Sequence, residues 1–184
     1  QEGTNGEFLS VELELKVLAD VGLVGLPNAG KSTLLSVMTT AKPKIADYPF
    51  TTLQPHLGIV KYGEYQSFVM ADIPGLIEGA SEGKGLGHQF LKHIERNKIL
   101  LFMIDIEEQN PIEVYNQLMD ELVGFNKDLL DKDRLVIRTK IDTVSKDVDE
   151  RWSSFPEEFF DISSVSNQGL DALKDKLVSF LSAS

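Results

Sequence analysis

The residue types and spacing best suited to chemistry lie in residues 25–32, which read GLPNAGKS. This segment matches G-x-x-x-x-G-K-[ST], a loop that binds nucleotide phosphates between a strand and a helix. Its glycines let the backbone curl, so that N–H groups converge on phosphate oxygens at a helix N-terminus. Lys31 supplies positive charge to the outer phosphates, and the Ser32 hydroxyl can bind Mg²⁺. The predicted phosphate-binding residues are Asn28, Ala29, Gly30, Lys31, Ser32 and Thr33.

A second motif, DIPG, occupies residues 72–75 and directly follows a short apolar run. A carboxylate at the end of a strand beside a phosphate loop is typical of the metal site in nucleoside triphosphatases, and Asp72 has this position. Gly75 has no Cβ, so its N–H group can approach a terminal phosphate closely. An Asp-Pro-Gly turn would be the better interpretation if the motif stood alone, but the phosphate loop favours the metal site.

Two further segments indicate recognition of a base. TKID, residues 139–142, follows a predicted strand, and the Asp142 carboxylate can accept two hydrogen bonds from guanine, whereas adenine offers neither donor. A site of this kind rejects an analogue lacking the donors by a factor of about 10⁴ or more. SSV, at Ser163, Ser164 and Val165, can place backbone N–H groups near the base; an N-terminal helix cap before Gly169 is the alternative.

The remaining sequence predicts an α/β fold: three layers, with a central, mostly parallel sheet of about six strands and helices on both faces. Apolar runs and alternation predict strands, and amphipathic spacing predicts helices. We expect residues 57–62 to form an antiparallel edge strand. The predicted strands are 20–25, 57–62, 66–71, 99–106, 135–138 and 158–162, and the predicted helices are 31–40, 87–97, 111–130 and 169–181.

Composition limits the classes of function. The chain has 184 residues, no cysteine and a net charge of −11, which excludes disulfides and thiolate metal sites and argues against unaided, non-specific nucleic-acid binding. The longest apolar run, residues 99–104, is too short to span a membrane. His56, His88 and His93 are not spaced as a metal site. Residues 19–184 are predicted as one domain; the alternating strand at 9–17 suggests that residues 1–18 are the tail of a preceding domain that is mostly absent.

Four segments together resemble one family. They are the phosphate loop GLPNAGKST, DYPFTTL at 47–53, DIPGLIEGASEGKGLG at 72–87, and the passage from the alternating strand into KVLADVGLVG. The chain resembles the G domain of the Obg (CgtA-type) family of bacterial ribosome-associated GTPases. The resemblance implies Mg²⁺-dependent GTP binding and slow hydrolysis to GDP and phosphate, as a switch in large ribosomal subunit assembly. It also implies a cytoplasmic protein, expected to be a monomer, that contacts the large ribosomal subunit through domains missing here.

The resemblance also assigns roles to individual residues. DYPFTTL at 47–53 matches the family's first switch, and Thr52 within it would bind Mg²⁺ together with Ser32 and Asp72. Lys31, Thr52 and Gly75 would form the catalytic set. Related GTPases use an Asn at the position of Asn28 to help hold K⁺, although a turn-forming Asn is an equally good explanation.

Two positions depart from the usual GTPase pattern. Thr139 replaces an Asn, so its bridge between the base and phosphate loops is expected to be weaker, with affinity reduced and specificity kept. Leu76 replaces the Gln that orients water in Ras-like enzymes, and it cannot polarise water. A guanine-nucleotide-sensing module with incidental hydrolysis is therefore the alternative function. An ATPase is a third possibility, against which Asp142 argues.

Overall fold

The computed structural model describes residues 19–45, 55–72, 97–143 and 150–183. Its strands are β1 Val21–Val24, β2 Lys44–Ile45, β3 His56–Tyr62, β4 Gln66–Asp72, β5 Ile99–Asp105, β6 Asp133–Thr139 and β7 Phe159–Asp161. Its helices are α1 Lys31–Met38, α2 Pro111–Phe125, the 3-10 helix Lys127–Asp131, α3 Glu150–Ser153 and α4 Leu170–Ala183. The predictions for residues 9–17, 47–53, 73–87 and 88–96 lie outside the described residues.

The sheet has the strand order β2-β3-β4-β1-β5-β6-β7. β1 lies in the middle, parallel to β4 and β5, and β6 and β7 continue the parallel pairing. Four buried residues form β1, as expected for a strand covered on both faces. The α/β prediction is confirmed. Because parallel strands end at the same edge of a sheet, the carboxyl ends of β1, β4, β5 and β6 are brought together there.

One part of the strand prediction is wrong. β3 is antiparallel to β4, as expected, but it is not an edge strand, because β2 pairs with its outer side through Lys44 opposite Leu57 and Ile45 opposite His56. Both side chains of β2 are exposed. A strand of two residues is also too short to show the alternation or the apolar run from which strands are predicted. The sheet therefore has seven strands where about six were expected.

The predicted helix at 111–130 is also divided. α2 ends at Phe125, and Asn126 adopts an extended conformation with φ −149°. The Asn126 side chain accepts a hydrogen bond of 2.9 Å from the Asp128 N–H group and begins the 3-10 helix. A side chain that binds nearby backbone in this way competes with helix continuation, which explains the break.

Apolar side chains fill both faces of the sheet. One face packs β5 against α2 and the aromatic residues Tyr115 and Trp152. The other packs β1 and β4 against α1 and α4, where Leu173 and Leu177 are fully buried, as the spacing of α4 predicts. Among the described helices, none has both the length and the apolar character that crossing a membrane would require.

Glu121 on α2 has a partly buried carboxyl group, which leads to a prediction about stability. Its Oε2 atom is buried and has no hydrogen-bond partner among the described residues. Burial raises the pKa of this carboxyl, and a hydrogen bond from Gln117 opposes the shift in part. When folding raises the pKa of a carboxyl, its ionisation destabilises the fold. The stability that the protonated carboxyl contributes is complete below the ordinary glutamate pKa, and it is lost as pH rises through the pKa of the folded state.

We therefore expect Glu121→Gln to raise the free energy of unfolding at neutral pH. The difference from the wild type should vanish below about pH 4, where glutamate is protonated in both states. Urea denaturation at both pH values measures this. Asp120→Asn, an exposed change on the same helix, is the control and should give no gain. A gain of equal size at both pH values would contradict the assignment to Glu121 ionisation.

Candidate functional site

The phosphate loop leads from the end of β1 into α1, and its two signature glycines are needed for different reasons. Gly30 precedes α1 with φ 95°, a left-handed conformation that disfavours other residues. Gly25 lies against β5: a Cβ there would stand 2.6 Å from the Met103 carbonyl oxygen. Asn28 is also left-handed, with φ 67°, which Asn tolerates better than most residues. The loop is therefore tightly curled, as its sequence predicts.

The ammonium group of Lys31 forms hydrogen bonds with the backbone of the loop. Its Nζ atom donates to the carbonyl oxygens of Gly25 at 2.8 Å and Leu26 at 3.1 Å. The Ala29 N–H group donates to the Leu26 carbonyl at 3.1 Å, so this predicted phosphate donor serves the turn itself. No side chain caps α1 and its first turn has no acidic residue, so its positive end is open to an anion.

Ser32 and Asp72 meet beside the loop although they are 40 residues apart. The Ser32 hydroxyl donates to Asp72 Oδ2 at 2.5 Å, and Asp72, the last residue of β4, is only 4% exposed. Asp72 Oδ1 is buried without a hydrogen-bond partner among the described residues. An unpartnered, buried carboxylate oxygen is costly unless a cation binds it. A hydroxyl beside a carboxylate is a donor set that Mg²⁺ accepts.

The described residues contain no group of three or more His, Cys, Asp or Glu side chains that could hold a metal. A metal at Ser32 and Asp72 would therefore take its other ligands from phosphate oxygens, water or residues outside this part of the chain. Mg²⁺ commonly binds in this way, through one or two protein ligands and the substrate phosphates. The donor set fits Mg²⁺ bound with a nucleotide.

Thr139, the last residue of β6, joins the predicted base segment to the phosphate loop. Its hydroxyl lies 2.9 Å from the Ala29 carbonyl oxygen and 3.3 Å from that of Ile104, and the residue is 3% exposed. A hydroxyl has one proton, so it donates to one of these acceptors at a time. The bridge that the sequence suggested is present, and it consists of a single hydroxyl.

The rest of the predicted base segment forms a partly exposed turn after β6: Lys140 and Ile141 are half-buried, and the Ile141 N–H group donates to the Ile162 carbonyl at 3.3 Å. Lys140 is left-handed, with φ 60°, and its Nζ atom lies 2.6 Å from Asp105 Oδ2. The Thr143 N–H group and hydroxyl both bond the Lys140 carbonyl, which closes a turn around Asp142. The Asp142 side chain is exposed at this turn and is accessible to a ligand.

Ser163 forms its own turn after β7. Its N–H group donates to the Gln168 carbonyl at 3.0 Å, and its hydroxyl accepts from the Ser166 N–H group at 3.0 Å. α4 begins only at Leu170, so Ser163 does not cap it, and that alternative is wrong. Because the Ser163 N–H group is engaged, Ser164 and the 78% exposed Val165 are the better candidates for contact with a base.

The structure thus brings the phosphate and base segments together at the carboxyl edge of β1, β4, β5 and β6. Thr52, Gly75 and Leu76 lie outside the described residues, and the roles of all the site residues stay predictions. Sequence reasoning missed Asp105, which ends β5 and contacts Lys140. Only part of its signal was available: Asp105 lies near the carboxyl end of the predicted strand 99–106, but no local pattern identifies Lys140 as its partner.

Sequence comparison places residues 20–140 in a family model described as "50S ribosome-binding GTPase". The chain is 57% identical to a protein named GTPase Obg from Flavobacterium psychrophilum, over 98% of this chain and 56% of that protein. It is 58% identical to a GTPase Obg from Pelodictyon phaeoclathratiforme, over 96% of this chain and 52% of that one. The chain therefore spans about half the length of these curated relatives.

Solved structures show the same fold. The G domain of the T. maritima FeoB iron transporter matches with a TM-score of 0.64 at 26% identity, over 88% of this chain and 97% of that one. An Era variant from Aquifex aeolicus bound to GDP and AlF4⁻ matches with a TM-score of 0.63 at 25% identity, over 90% of this chain and 57% of that one.

Proposed function

Because this chain belongs to the family of 50S ribosome-binding GTPases, we propose that it binds GTP and hydrolyses it slowly to GDP and phosphate. The observation that carries the proposal is that two segments distant in sequence flank one phosphate loop. Asp72 contacts Ser32 on one side, and Thr139 contacts Ala29 on the other. A nucleotide with its phosphates at the loop would have its base beside Asp142.

The phosphate end of the site supplies positive charge and hydrogen-bond donors. Lys31 and the N–H groups of Gly30 to Thr33 would hold the phosphates, and Ser32, Asp72 and Thr52 would hold Mg²⁺. When bound, Mg²⁺ supplies neutralisation of phosphate charge. Catalysis then consists mainly of positioning and charge stabilisation by Lys31, Thr52 and the Gly75 N–H group, because Leu76 offers no polar group to water. With these groups and no side chain to orient water, intrinsic GTP hydrolysis is expected to be slow.

The base end distinguishes guanine from adenine. Asp142 would accept from the ring N–H and the exocyclic amine, and Ser164 and Val165 would donate backbone N–H groups to the base from the turn begun by Ser163. Thr139 links this end to the phosphate loop by one hydroxyl, where most GTPases have an amide with two donors. Affinity is expected to be lower than with Asn, while specificity stays with Asp142.

The wider biology is also a proposal. Residues 19–184 would be the G domain and residues 1–18 the tail of a preceding domain, in a cytoplasmic, monomeric protein that acts in large ribosomal subunit assembly. The chain spans about half of its relatives, and its net charge of −11 disfavours direct binding to RNA. Contact with the large subunit is therefore assigned to other domains.

Nucleotide titrations test the central proposal. We expect GTP and GDP to bind at least about 10⁴-fold more tightly than ATP, as hydrogen-bonded recognition of the base requires. Single-turnover hydrolysis with and without large ribosomal subunits then separates a GTPase switch from a nucleotide-sensing module. Stimulation by the subunits supports the switch, whereas slow or undetectable hydrolysis that the subunits do not change supports the sensor. Equal affinity for ATP and GTP would contradict both.

Asn28 motivates a prediction about K⁺, since its left-handed conformation places it in the curled part of the loop. If Asn28 helps to hold K⁺ beside the phosphates, hydrolysis in KCl should exceed that in NaCl several-fold. Asn28→Ala should remove the difference, while Asn28→Asp, which keeps an oxygen and tolerates the same backbone conformation, should retain part of it. Equal wild-type rates in the two salts would leave Asn28 as a turn residue.

A further inference from the structure

The end of β5 carries a carboxylate that is fixed from two sides. Asp105 Oδ2 accepts a hydrogen bond from Lys140 Nζ at 2.6 Å, and Asp105 Oδ1 accepts from the Glu107 N–H group at 3.0 Å. The two paired side chains are 24% and 39% exposed, so solvent screens the pair only in part. A carboxylate held by its own turn offers Lys140 a fixed acceptor.

Lys140 has a backbone conformation that is uncommon for a lysine. It is one of three described non-glycine residues with positive φ, and it lies between Thr139 and the Asp142 turn. The Ile106 N–H group donates to the Thr139 carbonyl at 3.0 Å, so β5 and the base segment are joined beside the ion pair. The end of β5 therefore supports the disfavoured backbone conformation at Lys140, together with the Thr143 and Ile141 N–H groups, which donate to the Lys140 and Ile162 carbonyls.

We propose that Asp105 is a positioning residue for the base-binding segment, residues 139–142. Through Lys140 it fixes the turn that presents the Asp142 carboxylate, while Thr139 fixes the same segment to the phosphate loop. A segment ordered before binding loses less entropy when the nucleotide binds. The proposal rests on the proposed function, since it assumes that this segment recognises guanine.

Asp105→Asn tests it with little change in shape. The amide oxygen can still accept from the Glu107 N–H group, but the negative charge that faces Lys140 is lost. We expect GDP and GTP to bind about five- to tenfold more weakly, by the same factor for both nucleotides, with faster dissociation of a fluorescent GDP analogue. β1 lies between β5 and β4 and so separates Asp105 from Asp72; the Mg²⁺ dependence should therefore not change.

A double-mutant cycle separates positioning from a general structural role. In a Lys140→Met background the ion pair is already absent, so adding Asp105→Asn should change GDP affinity by less than about twofold. Glu157→Gln is the matched control. Glu157 also accepts a hydrogen bond, from the Tyr115 hydroxyl, and pairs with Arg134. It precedes β7, however, and so lies at the amino-terminal ends of the parallel strands, away from the base-binding segment. It should leave GDP affinity unchanged.

The outcomes are distinct. GDP affinity of Asp105→Asn within twofold of the wild type, or tighter, would overturn the proposal, as would an equal loss in the Lys140→Met background. Failure of the wild-type chain to bind guanine nucleotides would instead overturn the proposed function.

Discussion

Asp142→Asn is expected to weaken GTP binding by about 2 kcal/mol or more, which is about 30-fold in the dissociation constant. The exposed carboxylate at the turn after β6 would accept two hydrogen bonds from guanine, and both are charge-assisted. An Asn side chain keeps one acceptor and sets a donor against the guanine donors. Titration with GDP and GTP measures the loss.

The same substitution should favour xanthosine nucleotides, because the xanthine carbonyl can accept a hydrogen bond from the new amide. A gain for xanthosine with a loss for guanosine identifies recognition of the base, which a general loss of folding cannot imitate. Asp131→Asn is the control: this exposed carboxylate precedes β6 at the other end of the strand. Unchanged GTP affinity in Asp142→Asn would refute the assignment.

The sequence was sufficient where the physical signal is local. The phosphate loop, β1 and the end of β4 follow from a glycine pattern and buried apolar runs, and the structure has them in place. The resemblance to the Obg G domain is confirmed by the relatives named GTPase Obg. The parallel sheet follows from strands that alternate with helices, since such units pack in few ways.

The missed features depend on contacts between distant residues. β2 exists because β3 offers it an edge, and its two exposed residues show no pattern of their own. Asp105 meets Lys140 because β5 and β6 pair with Asp105 opposite Thr139, a register that no local pattern encodes. Asn126 is intermediate: its capping tendency is local, but an amphipathic run on both sides concealed the break.

The buried carboxylate of Asp72 gives the last prediction, in which function and stability should move in different directions. Asp72→Asn removes the charge that would hold Mg²⁺, and loss of a residue that supports a metal costs about 10- to 100-fold in metal affinity or activity. Single-turnover GTP hydrolysis should fall by at least that factor. Added Mg²⁺ with GDP should raise the midpoint of thermal unfolding of the wild type more than that of the variant.

In the absence of Mg²⁺ the expectation reverses. Asp72 Oδ1 is then a buried charged oxygen without a hydrogen-bond partner among the described residues, so replacing it with a neutral amide should leave the free energy of unfolding unchanged or raise it. Asp161→Asn is the control, because that carboxylate makes two hydrogen bonds with Arg138, at 2.7 and 2.6 Å. Asp161→Asn should lower the free energy of unfolding, while Mg²⁺ with GDP should still raise its midpoint of thermal unfolding as in the wild type. If Asp72→Asn loses stability in chelator and hydrolyses GTP at the wild-type rate, Asp72 is a structural residue and the metal lies elsewhere.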